Sequence, residues 1–560
     1  MKRCLRSHSR ILCRGHNINK LFHIKAKSLN SEPKNQNLAP QQGITTKNSN
    51  QLVNSNHPVD YRELGLQQEL FFLSKFSPGS PIFLPNGARI FNKLVEFLRT
   101  QYEYYEFQEV ISPIMYKSSL WKTSGHWENY ANDMYAVVQR DSPETRNGEQ
   151  ENQNEDYGLK PMNCPGHCLI FASKARSYRD LPLRYADFSP LHRNEVTGAL
   201  SGLTRVRCFH QDDGHIFCRP SQIKEEIRKS LEFINLTYRV LGLEPYRLVL
   251  STRPRKKYIG SVEEWEYAEA ALVESLKESG SSWTINEGDG AFYGPKIDII
   301  HKDTVGRDHQ TATIQLDFQL PQRFKLHYQA PAPEIEQSGQ TCNDQNLLSI
   351  EGPVTPILIH RAVLGSVERI MALLIEKYNG LWPFWLNPCQ IAIITVNDSP
   401  AVLEYARQAK NIIQGFQVSD SKLAERHIRR GSESGGININ VKIFDKATSV
   451  NHKIASAKRQ RYGIIVLVGP KDIESQTLSV DFSGIPSRNQ YTDEILKSIP
   501  LKAKCHVHGR NIKWEELECS LENIKPCIQD IKGMPRERAQ VALPAEWLRS
   551  VVHELLNVYS

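Results

Sequence analysis

The eight residues LWPFWLNP (381–388) divide this chain more sharply than any other stretch. Two prolines five residues apart interrupt both helix and ladder, and two tryptophans have to be buried close by. The hydrophobic pattern differs on the two sides of the break. After it, IAIITV (391–396), a helical set of Val402, Ala406, Ala409 and Ile413, INVKIF (439–444) and GIIVLVG (463–469) alternate strand, helix and strand. That alternation predicts a small α/β domain with a mixed or parallel sheet. Residues 484–560 hold helix-like stretches without a motif and stay unassigned.

Before the break, helix-like and strand-like segments are mixed. Ile90, Phe91, Leu94, Phe97 and Leu98 fall at helical spacing, and YEFQEVISP (105–113) reads as a strand stopped by Pro113. Residues 182–217 alternate short apolar runs with polar turns, as antiparallel strands do, and PILIHRAV (356–363) reads as a strand feeding a helix that carries Val367, Ile370, Met371 and Leu374. Residues 139–157 and 331–353 read as polar surface insertions, and no internal repeat is visible. At 560 residues, two or three domains are expected, with order beginning near His57.

The first residues bear on location. Met1 to Ser31 contain four arginines and four lysines, and the first acid is Glu32. Such a start reads as a mitochondrial transit peptide over 1–31, or as a basic tail that touches RNA. Residues 32–56 are rich in Asn, Gln, Ser and Pro and are expected to be a disordered linker. Eleven irregularly spaced cysteines argue against a secreted disulfide framework, and no run reaches the roughly 18 to 20 apolar residues of a membrane span. The formal charge of +8 has the sign that suits a polyanionic partner.

KPMNCPGHC (160–168) crowds Cys164, His167 and Cys168 onto one turn, which suggests a metal site. Three groups so close rarely complete one, and the spacing alone does not say which of them is a ligand.

Several segments, taken in order, carry a specific resemblance: TSGHW (123–127), KPMNCPGH (160–167), HRNEVTG (192–198), RVRCFHQDDGHIFC (205–218), FYGPKID (292–298), TIQLDF (313–318) and IHRAVLGSVER (359–369). They resemble the threonyl-tRNA synthetases, a family of class II aminoacyl-tRNA synthetases, over residues 57–480. HRNEVTG and GSVERI (365–370) are similar to the second and third class II motifs, and the helix and strand ending at Pro113 to the first. The resemblance implies an α+β catalytic domain over 57–384, built on an antiparallel sheet with helices. It also implies a smaller α/β anticodon-binding domain over 385–483, with 484–560 as an extension.

What the resemblance implies about the site follows residue by residue. Zinc, one per chain, is expected on Cys164, His215 and His360, with His167 and Cys168 as bystanders. Met162, Gln211, Asp213, Tyr293 and Lys296 are expected around threonine, with Asp213 receiving the proton of its hydroxyl. Arg193 corresponds to the arginine on the α-phosphate of ATP and Arg369 to the one at the γ-phosphate end. Phe209 is placed to stack on adenine, and Glu195, Arg205, Arg307, Gln310 and Gln315 are further ATP candidates, with Mg²⁺ accompanying ATP. His126 corresponds to a histidine near the 3′-terminal ribose hydroxyl of tRNA, where an imidazole is a reasonable proton carrier. Arg193, Arg369, His126 and Lys296 form the expected catalytic set.

The implied reaction joins L-threonine to tRNA(Thr) through threonyl-adenylate, in the mitochondrial matrix, by a homodimer. Basic clusters at ERHIRR (425–430) and KRQRY (458–462) are candidates for RNA phosphates, their aromatic residues for bases. Residues 419–437 are longer than the family pattern. About 56 residues precede the expected core, so the large N-terminal editing region of bacterial-type members is expected to be missing, and with it a hydrolytic site for seryl-tRNA. A prolyl- or seryl-type enzyme lacks this cysteine and histidine set. The alternative of another class is a non-catalytic paralogue that binds RNA or regulates a partner, which should have lost Arg193, Arg369 or a zinc ligand.

Overall fold

A computed structural model describes residues 60–138, 156–256, 258–415, 438–486, 492–496 and 540–558. The expected transit peptide and linker, the insertion 139–157 apart from its last two residues, the stretch 419–437 with its cluster 425–430, and most of 484–560 lie outside the described residues.

The first sheet has eight strands: β1 (Gln108–Glu109), β2 (Leu183–Asp187), β3 (Asp213–Cys218), β4 (Tyr246–Ser251), β5 (Trp283–Asn286), β6 (Lys296–Lys302), β7 (Asp308–Asp317) and β8 (Ile357–Ala362). Their order is β5-β4-β6-β7-β8-β3-β2-β1. Every pairing from β4 to β2 is antiparallel, and only the edge strands β5 and β1 pair in parallel. The α+β expectation for this region is met.

Side-chain alternation gives the two faces of this sheet different work. Ile216 and Cys218 of β3, Ile297 and Ile299 of β6, Ile314 and Leu316 of β7 and Ile357 and Ile359 of β8 enter one large core. Helices α1 (Pro85–Tyr104), α3 (Ile223–Val240), α4 (Val262–Glu278) and α5 (Val367–Tyr378) cover that face, and α1 contributes Ile90, Leu94 and Leu98. The residues between them, such as His215, Gln315 and His360, point to the other face. There a smaller cluster, with Phe217, Leu358 and Phe171 of helix α2 (Cys164–Ala172), supports a cavity.

The second unit of structure is the mixed sheet β10-β9-β11-β12-β13, built from β9 (Ile391–Thr395), β10 (Val441–Phe444), β11 (Ile464–Val468), β12 (Leu478–Asp481) and β13 (Gln540–Leu543). Its first three strands are parallel and the last two antiparallel. Helix α6 (Pro400–Gln414) buries Val402, Ala406, Ala409 and Ile413 as its spacing predicts. The break LWPFWLNP straddles the two cores: Trp382 and Trp385 belong to the first and Phe384 to the second. Trp385 meets Phe97 of α1 at a ring separation of 5.8 Å.

Two segments differ from expectation. Residues 331–353 are not a plain loop, because Tyr328–Pro331 pairs with Glu351–Val354 around two short helices. Buried Glu336 anchors this hairpin with two 2.6 Å bonds from Arg219 and one of 2.8 Å from the Tyr328 hydroxyl. The last strand and helix of the unassigned extension complete the second domain. Strand β13 pairs with β12, and Leu548, Val551, Val552 and Leu555 of helix α7 (Ala545–Leu556) lie in its core. Leu548→Ala should therefore destabilise the second domain by about 2–5 kcal/mol, read as a lowered denaturant midpoint. A loss of less than roughly 0.5 kcal/mol would mean that the helix is peripheral.

Candidate functional site

The metal-ligand geometry comes from sheet register. Antiparallel pairing sets His215 of β3 opposite His360 of β8, and both side chains fall on the cavity face. Helix α2 starts at Cys164, with Pro165 in its first turn where a missing N–H costs nothing. The Sγ of Cys164 and one ring nitrogen of each histidine lie within 4.8 Å of one another. His215 Nε2 is 3.0 Å from His360 Nδ1, and His360 Nε2 is 2.8 Å from Asp317 Oδ2.

The other two groups of the CPGHC turn are buried elsewhere. Cys168 joins the apolar cluster beneath the site, and His167 packs edge-on against His215 with its Nε2 3.8 Å from Asp187. Among the described residues, Cys164, His215 and His360 are the set that converges.

The chemistry of this set fits a cation. Burial pushes the Cys164 thiol well up, and neighbouring Asp213 pushes it further, so a lone thiolate here is strongly disfavoured. Burial also holds the His215 ring well below its ordinary range and therefore neutral. One sulfur and two imidazoles around a common point suit zinc with open coordination positions. Asp213 stands beside them, buried, its carboxyl raised by burial and fixed by Asn163 Nδ2 at 3.0 Å.

These groups form one end of a cavity of about 670 Å³. Met162 and Gln211 line its wall, and Tyr293 stacks on His360 at 4.9 Å while its hydroxyl bonds to Gln315. Lys296 reaches Asp298 at 2.7 Å, and Asp298 also accepts from Gln310 at 2.5 Å and Ser251 at 3.0 Å. Cations gather at the opposite end. Arg193 lies 5.0 Å over the Phe209 ring with its Nε on the Pro161 carbonyl. Arg205 pairs with Glu195 at 2.9 Å, and Arg369 bonds to the carbonyls of Gln310 and Thr204. Burial, and then the fields of Arg193 and Arg205, lower the Arg369 guanidinium from its ordinary value, so this end favours an anion.

Two expected residues stand off this wall. Arg307 sits in the β6–β7 turn, exposed, and pairs with Asp303 at 2.7 Å four residues back. It is not among the residues that line the cavity. His126 is buried behind Phe292 and Tyr130, with Nδ1 2.7 Å from the Ser124 hydroxyl. In the second domain, Tyr462 of KRQRY is buried against Phe444, so its ring is not available to stack on a base.

The sequence reading also missed residues that hold the site. Asp317 and Asp298 lie inside the quoted segments TIQLDF and FYGPKID, but an acid beside an apolar strand carries no sign of its distant partner. Glu368 accepts from the backbone N and Nδ1 of His210, and buried Lys160 reaches Ser112 and Ser189 beside Asp187. The latter network steadies the loop that delivers Met162 and Cys164.

Residues 146–378 match the model of the tRNA synthetase class II core domain (G, H, P, S and T), and residues 390–484 match that of the anticodon binding domain. The chain is 47% identical over 421 residues to a protein of Schizosaccharomyces pombe named "Probable threonine--tRNA ligase, mitochondrial", covering 75% of this chain and 84% of that one. It is 45% identical over 431 residues to "Threonine--tRNA ligase, mitochondrial" of Saccharomyces cerevisiae, covering 74% and 84%. A crystal structure of the RNA binding domain of threonyl-tRNA synthetase from Cryptosporidium parvum superposes with a TM-score of 0.63 at 40% identity, over 76% of this chain and 93% of that one. Fold, family models and relatives agree, and the chain belongs to the threonyl-tRNA synthetases of class II.

Proposed function

We propose that this chain activates L-threonine with ATP and Mg²⁺ and transfers it to tRNA(Thr) for mitochondrial translation, as a homodimer in the matrix with one zinc per chain. The observation that carries the reading is a single cavity with the Cys164–His215–His360 donors at one end and Arg193, Arg205 and Arg369 at the other.

Selecting threonine over valine is the physical problem. The two are nearly equal in size, and a site that binds the hydroxyl rejects the analogue lacking it by roughly 10⁴ to 10⁵, against about 10- to 200-fold for a methyl group. Cys164, His215 and His360 would hold the zinc, which would supply open positions for the amino group and β-hydroxyl of threonine together. Asp213 lies beside those positions to receive the hydroxyl proton, and Met162, Gln211, Tyr293 and Lys296 bound the rest of the pocket. Arg193 faces the α-phosphate, where a planar fork matches the charge that develops as pyrophosphate leaves, and Arg369 faces the γ-phosphate end. Glu195, Arg205, Phe209, Gln310 and Gln315 hold the remainder of ATP. A non-catalytic paralogue would have lost part of this set; its presence in one cavity supports the enzyme.

His126 is proposed near the ribose of the tRNA terminus. Burial first, then the fields of His360, Arg323 and Arg193, lower it to about 3. It is neutral at working pH and acts there as an acceptor. Because the folded value lies below the unfolded one, the unfolded chain binds the extra proton between about pH 3 and about pH 6.5, and this residue subtracts stability as pH falls through that window.

For the dimer, the support is an apolar strip around Pro113. Ile111 is 87% exposed, and Ile114 and Met115 are exposed beside it. Single large apolar side chains at the surface are ordinary, but a strip on the first class II motif fits a subunit interface.

Purified protein should catalyse threonine- and ATP-dependent pyrophosphate exchange. Cys164→Ala should lose both zinc and exchange, Cys168→Ala should keep both, and Arg369→Ala should lower the rate roughly 100-fold or more. Zinc retained by the Cys164 variant and lost from the Cys168 variant would reverse the assignment. The His126 ring resonances should not titrate between about pH 7 and about pH 5; a midpoint near 6.5 contradicts the burial argument. Light scattering should give the mass of two chains, reduced to one by Ile111→Asp, and a fully active monomer would refute the dimer.

A further inference from the structure

The carboxylate of Asp317 is positioned by the backbone. It ends strand β7, buried, on the same face as Gln315, the residue paired with His360 across the ladder. Two residues along a strand is a diagonal step, within reach of a side chain on the neighbouring strand. Oδ1 accepts the backbone N–H groups of Gln319 at 2.7 Å and Leu320 at 3.0 Å, where the chain turns into a short helix. Oδ2 is left to one partner, His360 Nε2, at 2.8 Å.

That arrangement decides which nitrogen of His360 is free. A buried carboxylate accepts and does not donate, so the ring must present Nε2–H to Asp317. The lone pair then lies on Nδ1, the atom 3.0 Å from His215 Nε2 at the point where the three donors converge. Stacking on Tyr293 restrains the ring plane from its flat side.

We propose that Asp317 is a positioning residue of the metal centre: it fixes His360 as the Nε2–H tautomer and aims Nδ1 at the metal. Asp317 is not among the residues that line the cavity and acts through His360. The inference rests on the zinc reading above. Such outer carboxylates fix ring orientation and raise the basicity of a ligating histidine, and their loss costs roughly 10- to 100-fold in metal affinity or activity.

Asp317→Asn is the informative variant. The amide oxygen still accepts from Gln319 and Leu320, so the turn is kept, but an NH₂ group now faces His360 and forces the proton onto Nδ1. Zinc affinity, measured by chelator competition on the full-length protein, should fall roughly 10- to 100-fold. The KM for threonine should rise with it while the KM for ATP stays within about twofold of the wild type. A variant with wild-type zinc affinity overturns the proposal. Wild-type protein that holds no zinc overturns the zinc reading itself, and that result is read without the variant.

A second measurement does not depend on the variant folding. Long-range ¹H–¹⁵N spectra of histidine-labelled wild-type protein should show His360 protonated at Nε2. Protonation at Nδ1 in the metal-free protein, or metal bound through Nε2 in the loaded one, overturns the proposal.

Discussion

The antiparallel pairing of β3 with β8 is the constraint on which the site depends. It sets His215 beside His360 across 145 residues of sequence, and only this register puts both rings on the cavity face. A slip of one residue would send Gly214 or Arg361 there and carry the histidines into the helix-covered core. Side chains buried on that helical side hold the register. Arg361 lies 4.3 Å over Phe233, 4.4 Å over Phe107 and 4.7 Å over Tyr102. Asp212 ties the same strands together by accepting from the Tyr102 hydroxyl and from the backbone of Val363 and Leu364. Three long-range segments thus converge because a core on one face of the sheet fixes what the other face displays.

Burial then gives the cavity its polarity. At the end with Cys164, burial disfavours the charged forms of the thiol, of Asp213 and of His215. At the other end the guanidinium of Arg369 is partly desolvated beside Arg193 and Arg205, and an anion relieves that repulsion. The two ends therefore suit partners of opposite charge, a cation at the first and an anion at the second. This is preorganised charge in the sense that matters for adenylate chemistry, because the dipoles and cations are in place before substrate arrives.

Much of this was legible from residue order alone. The apolar run in ILIHRA forms a strand, and the helix with Val402, Ala406, Ala409 and Ile413 forms where its periodicity puts it. The cavity residues were legible because they sit in short segments with unusual composition. What escaped was whatever depends on a partner far along the chain. Asp317 looks like an ordinary cap until His360, 43 residues later, is folded against it. Arg307, which the resemblance placed among the residues around ATP, pairs with Asp303 across a tight turn. The helix over 545–556 has an apolar stripe, yet nothing in that stripe names the sheet it joins, and strand β13 is reached only after a long intervening stretch.

In the proposed metal centre Cys164 joins His215 and His360, while His167 and Cys168 of the CPGHC turn stay outside it. X-ray absorption at the zinc edge on zinc-loaded wild-type protein tests it most directly. The account predicts one sulfur at about 2.3 Å and two imidazole nitrogens at about 2.0–2.1 Å, with any remaining ligand light. A first shell with two sulfurs, which would bring in Cys168, or with none, would contradict it.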